Sequence, residues 1–365
     1  MQSEGKMEVV VAMSGGVDSS VAAALLLERG YSVRGMMLQL WNSDMHMELG
    51  EKNQQNAFNR AQQVADRLGI SFDVIDAVEP FREKIVNYFI ETHRAGLTPN
   101  PCFVCNRLIK WGLLMDAAIQ RGADWLATGH YARVIRNPKG KVELHKGVDV
   151  DKDQSYILAG LTQDQLSRAI LPLGEITKVE TRKIAHRYNF INFDQPDSQD
   201  LCFLGEMNQE SFLSMYAPDS LTSGEIRTLQ GEKVGVHNGL SNYTIGQRKG
   251  LGSGFKEPLY VIQKDIETNS LIVGVKKDLG VVKIDVEDIN WIAGEAPSNP
   301  LLCEIKIRYK SKPVNGVLSK NSEDRYSIVF DEKIRDATPG QYAVFYIGDQ
   351  VIGSGTIKKT FREDV

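Results

Sequence analysis

The stretch Glu8–Val9–Val10–Val11–Ala12–Met13–Ser14–Gly15–Gly16–Val17–Asp18–Ser19–Ser20 decides the fold of this chain. Val9, Val10 and Val11 stand in continuous apolar order, the pattern of a strand buried on both faces, so Glu8–Met13 reads as a strand. The glycine pair that follows lets the backbone turn sharply and present its N–H groups. Val21–Arg29 then reads as a helix stopped by Gly30. Amide donors at a helix N-terminus, with the hydroxyls of Ser14, Ser19 and Ser20, favour an anion, and a phosphate is the natural guest. The loop lacks a Gly-Lys-Ser/Thr ending, so it is not a Walker loop. The plain alternative is a Gly-Gly turn with a serine cap, and the strand–loop–helix context weighs against it.

Outward from this loop the first 208 residues alternate. Ser32–Leu40 is strand-like, Gln55–Leu68 is a helix closed by Gly69, and Ser71–Ile75 is again strand-like. Pro80–Thr92 and Leu108–Arg121 read as helices, with Asp124–Thr128 a short strand after them. Thr162 with Gln165, and Thr177 with Glu180, are capping signals for two more helices. This alternation predicts an α/β domain built on a parallel sheet with helices on both faces. Such sheets bind ligands beyond the carboxyl ends of their strands. After about residue 208 the strands become short and glycine recurs, with breakers at Gln230–Gly231, Asn238–Gly239, Asn299–Pro300 and Pro339–Gly340. The expected division is 1–208, then two β-rich modules at 209–280 and 281–365.

Composition sets limits. The chain has 365 residues, 42% hydrophobic and 25% charged, the balance of a globular protein of two or three domains. No apolar run approaches the ~20 residues of a membrane span. Met1–Gln2–Ser3–Glu4–Gly5–Lys6 has no h-region, so no signal peptide is expected, and the expected location is cytoplasmic. A formal net charge of −4 excludes nucleic-acid binding by bulk charge and leaves only local basic surfaces.

Four cysteines cannot form a disulfide framework in a chain of this length. Asn100–Pro101–Cys102–Phe103–Val104–Cys105–Asn106 precedes the helix expected from Leu108. Thiolates at such a place are favoured by the helix dipole, and by Arg107 and Lys110 nearby. A third thiol, Cys202, sits in Asp197–Ser198–Gln199–Asp200–Leu201–Cys202–Phe203. Cys303, in an apolar strand-like run, reads as packing. Cys102, Cys105 and Cys202 give three ligands where a zinc site wants four; His130 is a candidate fourth, and nothing in the sequence requires it. Inert buried thiols remain open as an alternative.

Seven motifs together resemble the tRNA-specific 2-thiouridylase family. They are Ser14–Ser20 (SGGVDSS), Asn100–Asn106 (NPCFVCN), Ala127–Arg133 (ATGHYAR), Lys152–Tyr156 (KDQSY), Ser198–Phe203 (SQDLCF), Tyr243–Gly250 (YTIGQRKG) and Thr338–Gln341 (TPGQ). They stand in the family's order from about residue 8 to about 360. The resemblance implies a PP-loop domain of the adenine nucleotide hydrolase type, a small central β-rich domain and a C-terminal β-barrel. It implies replacement of the C2 oxygen of the tRNA wobble uridine by sulfur, with ATP and Mg²⁺. It also implies tRNA and a persulfide-donating sulfur carrier or cysteine desulfurase as partners.

Carried over by motif, Ala12, Met13, Ser14, Gly15, Gly16, Val17, Asp18 and Ser19 would bind ATP, with Leu38 and Gly129 lining the nucleotide site. Asp18 would hold Mg²⁺ or orient the phosphates. Cys105 would be the nucleophile, and Cys202 would carry the incoming sulfur as a persulfide. Asn100, Pro101 and Cys102 would border the flipped target base. His130, Lys152, Asp153, Gln154, Arg308, Tyr309 and Gln341 would contact tRNA. Adenylation would make the C2 oxygen a leaving group, and sulfur transfer would end in a Cys105–Cys202 disulfide. One position departs: the best-known members have aspartate, proposed as an acid/base, where this chain has Cys102. Cys102, Cys105 and Cys202 also match the three-thiolate pattern of thiolation enzymes that hold a [4Fe–4S] cluster.

Ile305–Lys312 has cations at Lys306, Arg308, Lys310 and Lys312. As a strand this would put all of them on one face, as a phosphate-binding stripe or as edge protection. Arg248 and Lys249 are a second basic candidate. Two competing functions stay in view: a PP-loop ligase or amidotransferase acting on a small molecule, and a non-catalytic tRNA-binding protein.

Overall fold

The computed structural model describes residues 7–40, 48–194, 201–205, 207–252, 254–322 and 325–362. Strands β1 (Glu8–Ala12), β2 (Ser32–Gln39), β3 (Phe72–Asp76) and β4 (Trp125–Ala127) form where the valine-rich and alternating runs predict them. The chain then makes a hairpin, β5 (Ala132–Arg136) and β6 (Val142–Lys146), before β7 (Ala169–Ile170). The first sheet has the order β3-β2-β1-β4-β7 and is parallel throughout. Val9, Val10 and Val11 are fully buried because helices cover both faces. The strand order reverses between β1 and β4, and crevices at such reversals hold ligands.

Three helices differ from their predicted bounds. The first spans Val17–Glu28, four residues earlier than the apolar run suggests. The second spans Glu48–Leu68. The cysteine helix begins at Pro101, runs through Pro101–Cys105 and a π-type segment Asn106–Leu114, and ends with Met115–Gln120. Proline at its first position and Asn100 as cap are strong start signals that the apolar periodicity from Leu108 onward concealed. Both capping boxes, Thr162 with Gln165 and Thr177 with Glu180, are formed. A helix at Gln209–Tyr216 buries Phe212 and Leu213 beside Phe203 and Cys105.

The second sheet contains β8 (Gly224–Thr228), β9 (Lys233–His237), β10 (Tyr260–Asp265) and β11 (Ser270–Gly274) in the order β10-β11-β8-β9. The last module holds β12 (Val281–Trp291), β13 (Leu301–Lys306), β14 (Val314–Ser322), β15 (Arg325–Ile334), β16 (Tyr342–Ile347) and β17 (Gln350–Phe361). Pairing of β12 with β17 closes these strands into a barrel around Ile284, Ile305, Ile328 and Phe345. The hairpin β5–β6 joins this barrel sheet, with Val351 opposite Leu144. A piece of the nucleotide-type domain is therefore built into the barrel wall. No helix among the described residues is long and apolar enough to cross a membrane.

The predicted basic strand does not form as such. β13 ends at Lys306, and residues 307–310 bend and turn. The cations at 306, 308, 310 and 312 therefore do not share a strand face. Lys306 is partly buried, and Arg308 is held inside a junction, whereas Lys310 and Lys312 are exposed.

Candidate active site

β1 delivers Met13–Gly16 to the carboxyl edge of the parallel sheet. Gly15 takes φ +73°, and a Cβ there would lie 2.3 Å from the Ala57 carbonyl oxygen, so only glycine fits. The Gly15 carbonyl accepts from Arg60 Nε at 3.2 Å and Asn192 Nδ2 at 3.0 Å. Gly16 is the N-cap residue, with no side-chain cap of its own. The hydroxyls of Ser19 and Ser20 donate to the Gly16 carbonyl, at 3.1 and 2.9 Å. They therefore stiffen the loop, leaving the first-turn amides as its anion-facing donors.

The loop after β4 closes over this turn. A Cβ on Gly129 would lie 2.7 Å from both Asp18 C and Ser19 N, which explains glycine at that position. Leu38, near the end of β2, packs against the hydrophobic clusters on either side. Asp18 is not free: Lys178 donates to both of its carboxylate oxygens and the Tyr131 hydroxyl donates to Oδ1 at 2.8 Å. Lys178, Asn192 and Arg60 lie outside the quoted motifs, and Tyr131 stands inside Ala127–Arg133 with no role assigned by it. Lys178 opens a capped helix, and that start signal was the one pointer to it.

Asn100 caps the cysteine helix by accepting from Phe103 N at 3.2 Å. Cys102 is thus the second helical residue and Cys105 the fifth, inside the helix rather than ahead of it. Asn106 Nδ2 donates to the Cys102 carbonyl at 3.0 Å. Cys105 is buried in a cluster with Phe81, Phe89, Leu204 and Phe203. Phe203 is anchored edge-on to Phe89 at 5.0 Å, which brings the neighbouring Cys202 to the same place. Ser198, Gln199 and Asp200 of the third cysteine motif lie outside the described residues.

The ionisation of these thiols corrects the expectation of an activated pair. Burial pushes Cys105 up to about 11, with Lys110 opposing and Cys102 adding to the rise. Cys102, exposed as a residue, is raised by the groups packed around its sulfur, with Lys110 opposing. Cys202 is exposed as a residue, yet the groups packed around its sulfur push it up, followed by the Cys105 and Cys102 thiols. Desolvation outweighs the helix dipole here because Cys105 lies beyond the first turn, where the dipole fades. All four cysteines are free thiols, and Cys303 is buried as packing.

His130 is buried, with its Nδ1 2.7 Å from Thr128 Oγ1. Burial and then Lys110 hold it neutral. Lys110 therefore bears on His130, Cys102, Cys105 and Cys202 at once, while Gly129 beside His130 touches the phosphate-type loop.

Several residues expected at a tRNA surface have their polar groups taken up within the protein. Asp153 is buried and accepts from Gly147 N, Ser155 N and Ser155 Oγ. Gln154 Oε1 accepts from Tyr131 N at 3.0 Å, bracing the loop after β4. Lys152 beside them is partly buried. Arg308 donates to the Ile245 carbonyl at 3.2 Å and to Thr338 Oγ1, joining the central module to the barrel. Tyr309 packs near Tyr156, with ring centroids 6.2 Å apart. Gln341 is bonded into the turn Thr98–Asn100.

No group of three or more His, Cys, Asp or Glu side chains among the described residues is placed to hold a metal ion. The three thiols do not fit a cluster in this arrangement. A magnesium ion needs less from the protein, one carboxylate and substrate phosphates; Asp18 stands at the loop but is paired with Lys178 through both oxygens, so it would hold the ion only in exchange for that pair.

Residues 7–206 match the family described as tRNA methyl transferase HUP domain, residues 210–275 its PRC-barrel domain and residues 281–357 the aminomethyltransferase beta-barrel domain. The chain is 42% identical over 360 residues to the tRNA-specific 2-thiouridylase MnmA of Carboxydothermus hydrogenoformans, covering 97% of this chain and 98% of that protein. It is 43% identical over 357 residues to the protein of that name from Natranaerobius thermophilus, covering 96% and 97%. It is 42% identical over 358 residues to that of Rickettsia typhi, covering 97% and 99%. With the phosphate-type loop, the cysteine helix and the barrel assembled in one chain, this likeness over nearly its whole length decides the matter: the chain belongs to the tRNA-specific 2-thiouridylase family.

Proposed function

We infer that this chain is a tRNA-uridine 2-sulfurtransferase that uses ATP to thiolate C2 of the wobble uridine. The observation that carries this reading is the convergence of an anion-holding loop and three thiols, bridged by Gly129, His130 and Lys110. The loop Ala12–Ser19 would cradle the β- and γ-phosphates of ATP, and Asp18 would hold Mg²⁺, whose charge would offset that of the departing pyrophosphate. The uridine C2 oxygen attacks the α-phosphorus, and pyrophosphate leaves along the amides of the helix N-terminus. A persulfide on Cys202, loaded by a sulfur carrier or cysteine desulfurase, then attacks C2 through its terminal sulfur, and AMP leaves. Cys105 attacks the Cys202 sulfur, releasing the thiouridine and forming a Cys105–Cys202 disulfide that a thiol must reduce before the next turnover. Burial disfavours the Cys105 thiolate before that step, so its proton must pass to a base as the sulfur attacks.

The test is AMP formation with and without tRNA, with mass analysis of the nucleosides. Uridine-dependent AMP release with 2-thiouridine formed is expected. AMP release without tRNA would point to a small-molecule ligase, and tight tRNA binding with no AMP to a non-catalytic binder. Thiolation that requires bound iron after anaerobic purification would replace the persulfide route.

A further inference from the structure

The cysteine helix changes its winding just after Cys105. Pro101–Cys105 is α-helical, and Asn106–Leu114 follows with i→i+5 hydrogen bonds. Such segments are rare and concentrate at functional sites. In an α-helix, residues five apart point about 140° away from each other around the axis. A π-type turn closes its hydrogen bond over five residues and brings such a pair to nearly one face. Arg107 and Gly112 stack in this way, and a Cβ on Gly112 would lie 3.3 Å from the Arg107 carbonyl oxygen. Cys105 and Lys110 are also five apart, so the wide turn carries Lys110 to the side of the helix that bears Cys105. Lys110 is half-buried there, and its charge reaches Cys102, Cys105, Cys202 and His130.

A π-type segment needs support from outside the helix. Where it returns to the i→i+4 pattern, one carbonyl is left without an intrahelical donor. Gln165, on the short helix Gln163–Ser167, supplies such support. Its Nε2 donates to the Arg107 carbonyl at 3.0 Å and the Trp111 carbonyl at 2.9 Å, both within the segment. Its Oε1 accepts from Thr162 N at 3.1 Å in the capping box. The two ends of one amide thus have separate tasks: the oxygen caps its own helix, and the nitrogen clamps the cysteine helix. We propose that Gln165 is a positioning residue, which holds the cysteine helix in its wide winding and so keeps Lys110 turned to the thiols. The positioning stands without any reaction, whereas its importance for thiolation rests on Cys105 and Cys202 being the reacting thiols.

The experiment is a double-mutant cycle on the full-length, tRNA-free protein, reading iodoacetamide alkylation of Cys105 at fixed pH by peptide mass. Cys303, in the barrel core, is the internal control. Lys110→Gln should slow Cys105 alkylation roughly threefold in the otherwise wild-type chain. Gln165→Glu keeps the capping box, where glutamate serves as well as glutamine, and removes both donors to the cysteine helix. In that background Lys110→Gln should change the rate by less than about 1.3-fold, because Lys110 no longer faces the thiols. Taking the ratio within each background cancels any change in exposure that Gln165→Glu itself causes. Gln165→Met lacks both donors without adding a charge and should give the same result, and it decides alone if Gln165→Glu does not fold. Equal slowing by Lys110→Gln in both backgrounds would make Gln165 a plain packing contact and overturn the proposal. So would the absence of any slowing in the wild-type background. Absence of thiolation by the wild-type protein would sink the proposed reaction yet leave the cycle intact.

Discussion

Lys178 Nζ lies 2.7 Å from Oδ1 and 2.8 Å from Oδ2 of Asp18, so the carboxylate of the phosphate-type loop is already paired with a cation. Two consequences follow for that loop. Asp18→Ala should abolish AMP formation and leave tRNA binding within about twofold, because tRNA would rest on other surfaces. Lys178→Met should lower stability by about 1–3 kcal/mol, discounted for the partial exposure of Asp18. Thermal melts and AMP assays on both variants check this, and normal AMP formation by Asp18→Ala would remove the loop from the reaction.

Gly129 offers a steric test of the same site. Its missing Cβ is what allows the loop after β4 to lie on Asp18 and Ser19. Gly129→Ala should displace the loop at a cost of about 1–3 kcal/mol. The KM for ATP should rise at least about tenfold. An unchanged KM would show that the loop yields without cost.

The thiols predict an alkaline pH profile. With Cys105 pushed up to about 11 by burial, its alkylation rate should keep rising through pH 9 and 10. Lys110→Gln removes a cation that favours the thiolate, and should slow alkylation at fixed pH. A plateau reached by about pH 8 would contradict the burial argument. Cys102→Ser should retain measurable thiolation, while Cys105→Ser and Cys202→Ser lose it. Equal loss in all three variants, together with loss of bound iron, would favour a cluster.

On the barrel, Arg308 and Lys310 should separate by mechanism. Arg308→Ala breaks the junction with Ile245 and Thr338 and should lower the melting temperature. Lys310→Ala should leave stability unchanged and reduce the salt slope of tRNA binding by roughly 0.7–0.9. An unchanged slope for Lys310→Ala would place the phosphate contacts elsewhere, with Arg248 and Lys249 next to be examined.

His93 should make the stability of the fold sensitive to acid. It is 4% exposed, neither ring nitrogen has a hydrogen-bond partner among the described residues, and burial followed by the charge of Lys264 lowers it to about 3. The unfolded imidazole takes up its proton near pH 6.5, so between about 6.5 and 3 the unfolded state binds more protons. Stability should therefore be complete above about pH 6.5 and fall as pH drops towards 3. His93→Phe keeps the edge contact with Phe89 and should flatten that acid limb in urea titrations from pH 7 to 4. An equally steep limb in the variant would assign the acid sensitivity to other groups.

The sequence by itself determined the strand–glycine loop–helix unit, the parallel sheet around β1 and both capping boxes. These are set by neighbours a few residues apart: an apolar period, a φ that only glycine tolerates, a side chain reaching an amide three positions on. Pro101 and Asn100 announced the true start of the cysteine helix just as locally, but the stronger apolar rhythm from Leu108 hid them. What only the tertiary structure decided is the chemical state of the groups. Lys178 reaches Asp18 across 160 residues, and Gln341 reaches Asn100 across 241. Asp153 and Gln154 are turned inward by partners within the first domain, Gly147, Ser155 and Tyr131, and Arg308 by Ile245 of the central module. The Cys105 thiol that a helix start should have acidified is instead raised, because packing in the cluster with Phe203 and Phe89 removes the water a thiolate needs. Charge, pairing and desolvation depend on what the fold brings from far along the chain, and no local pattern carries that information.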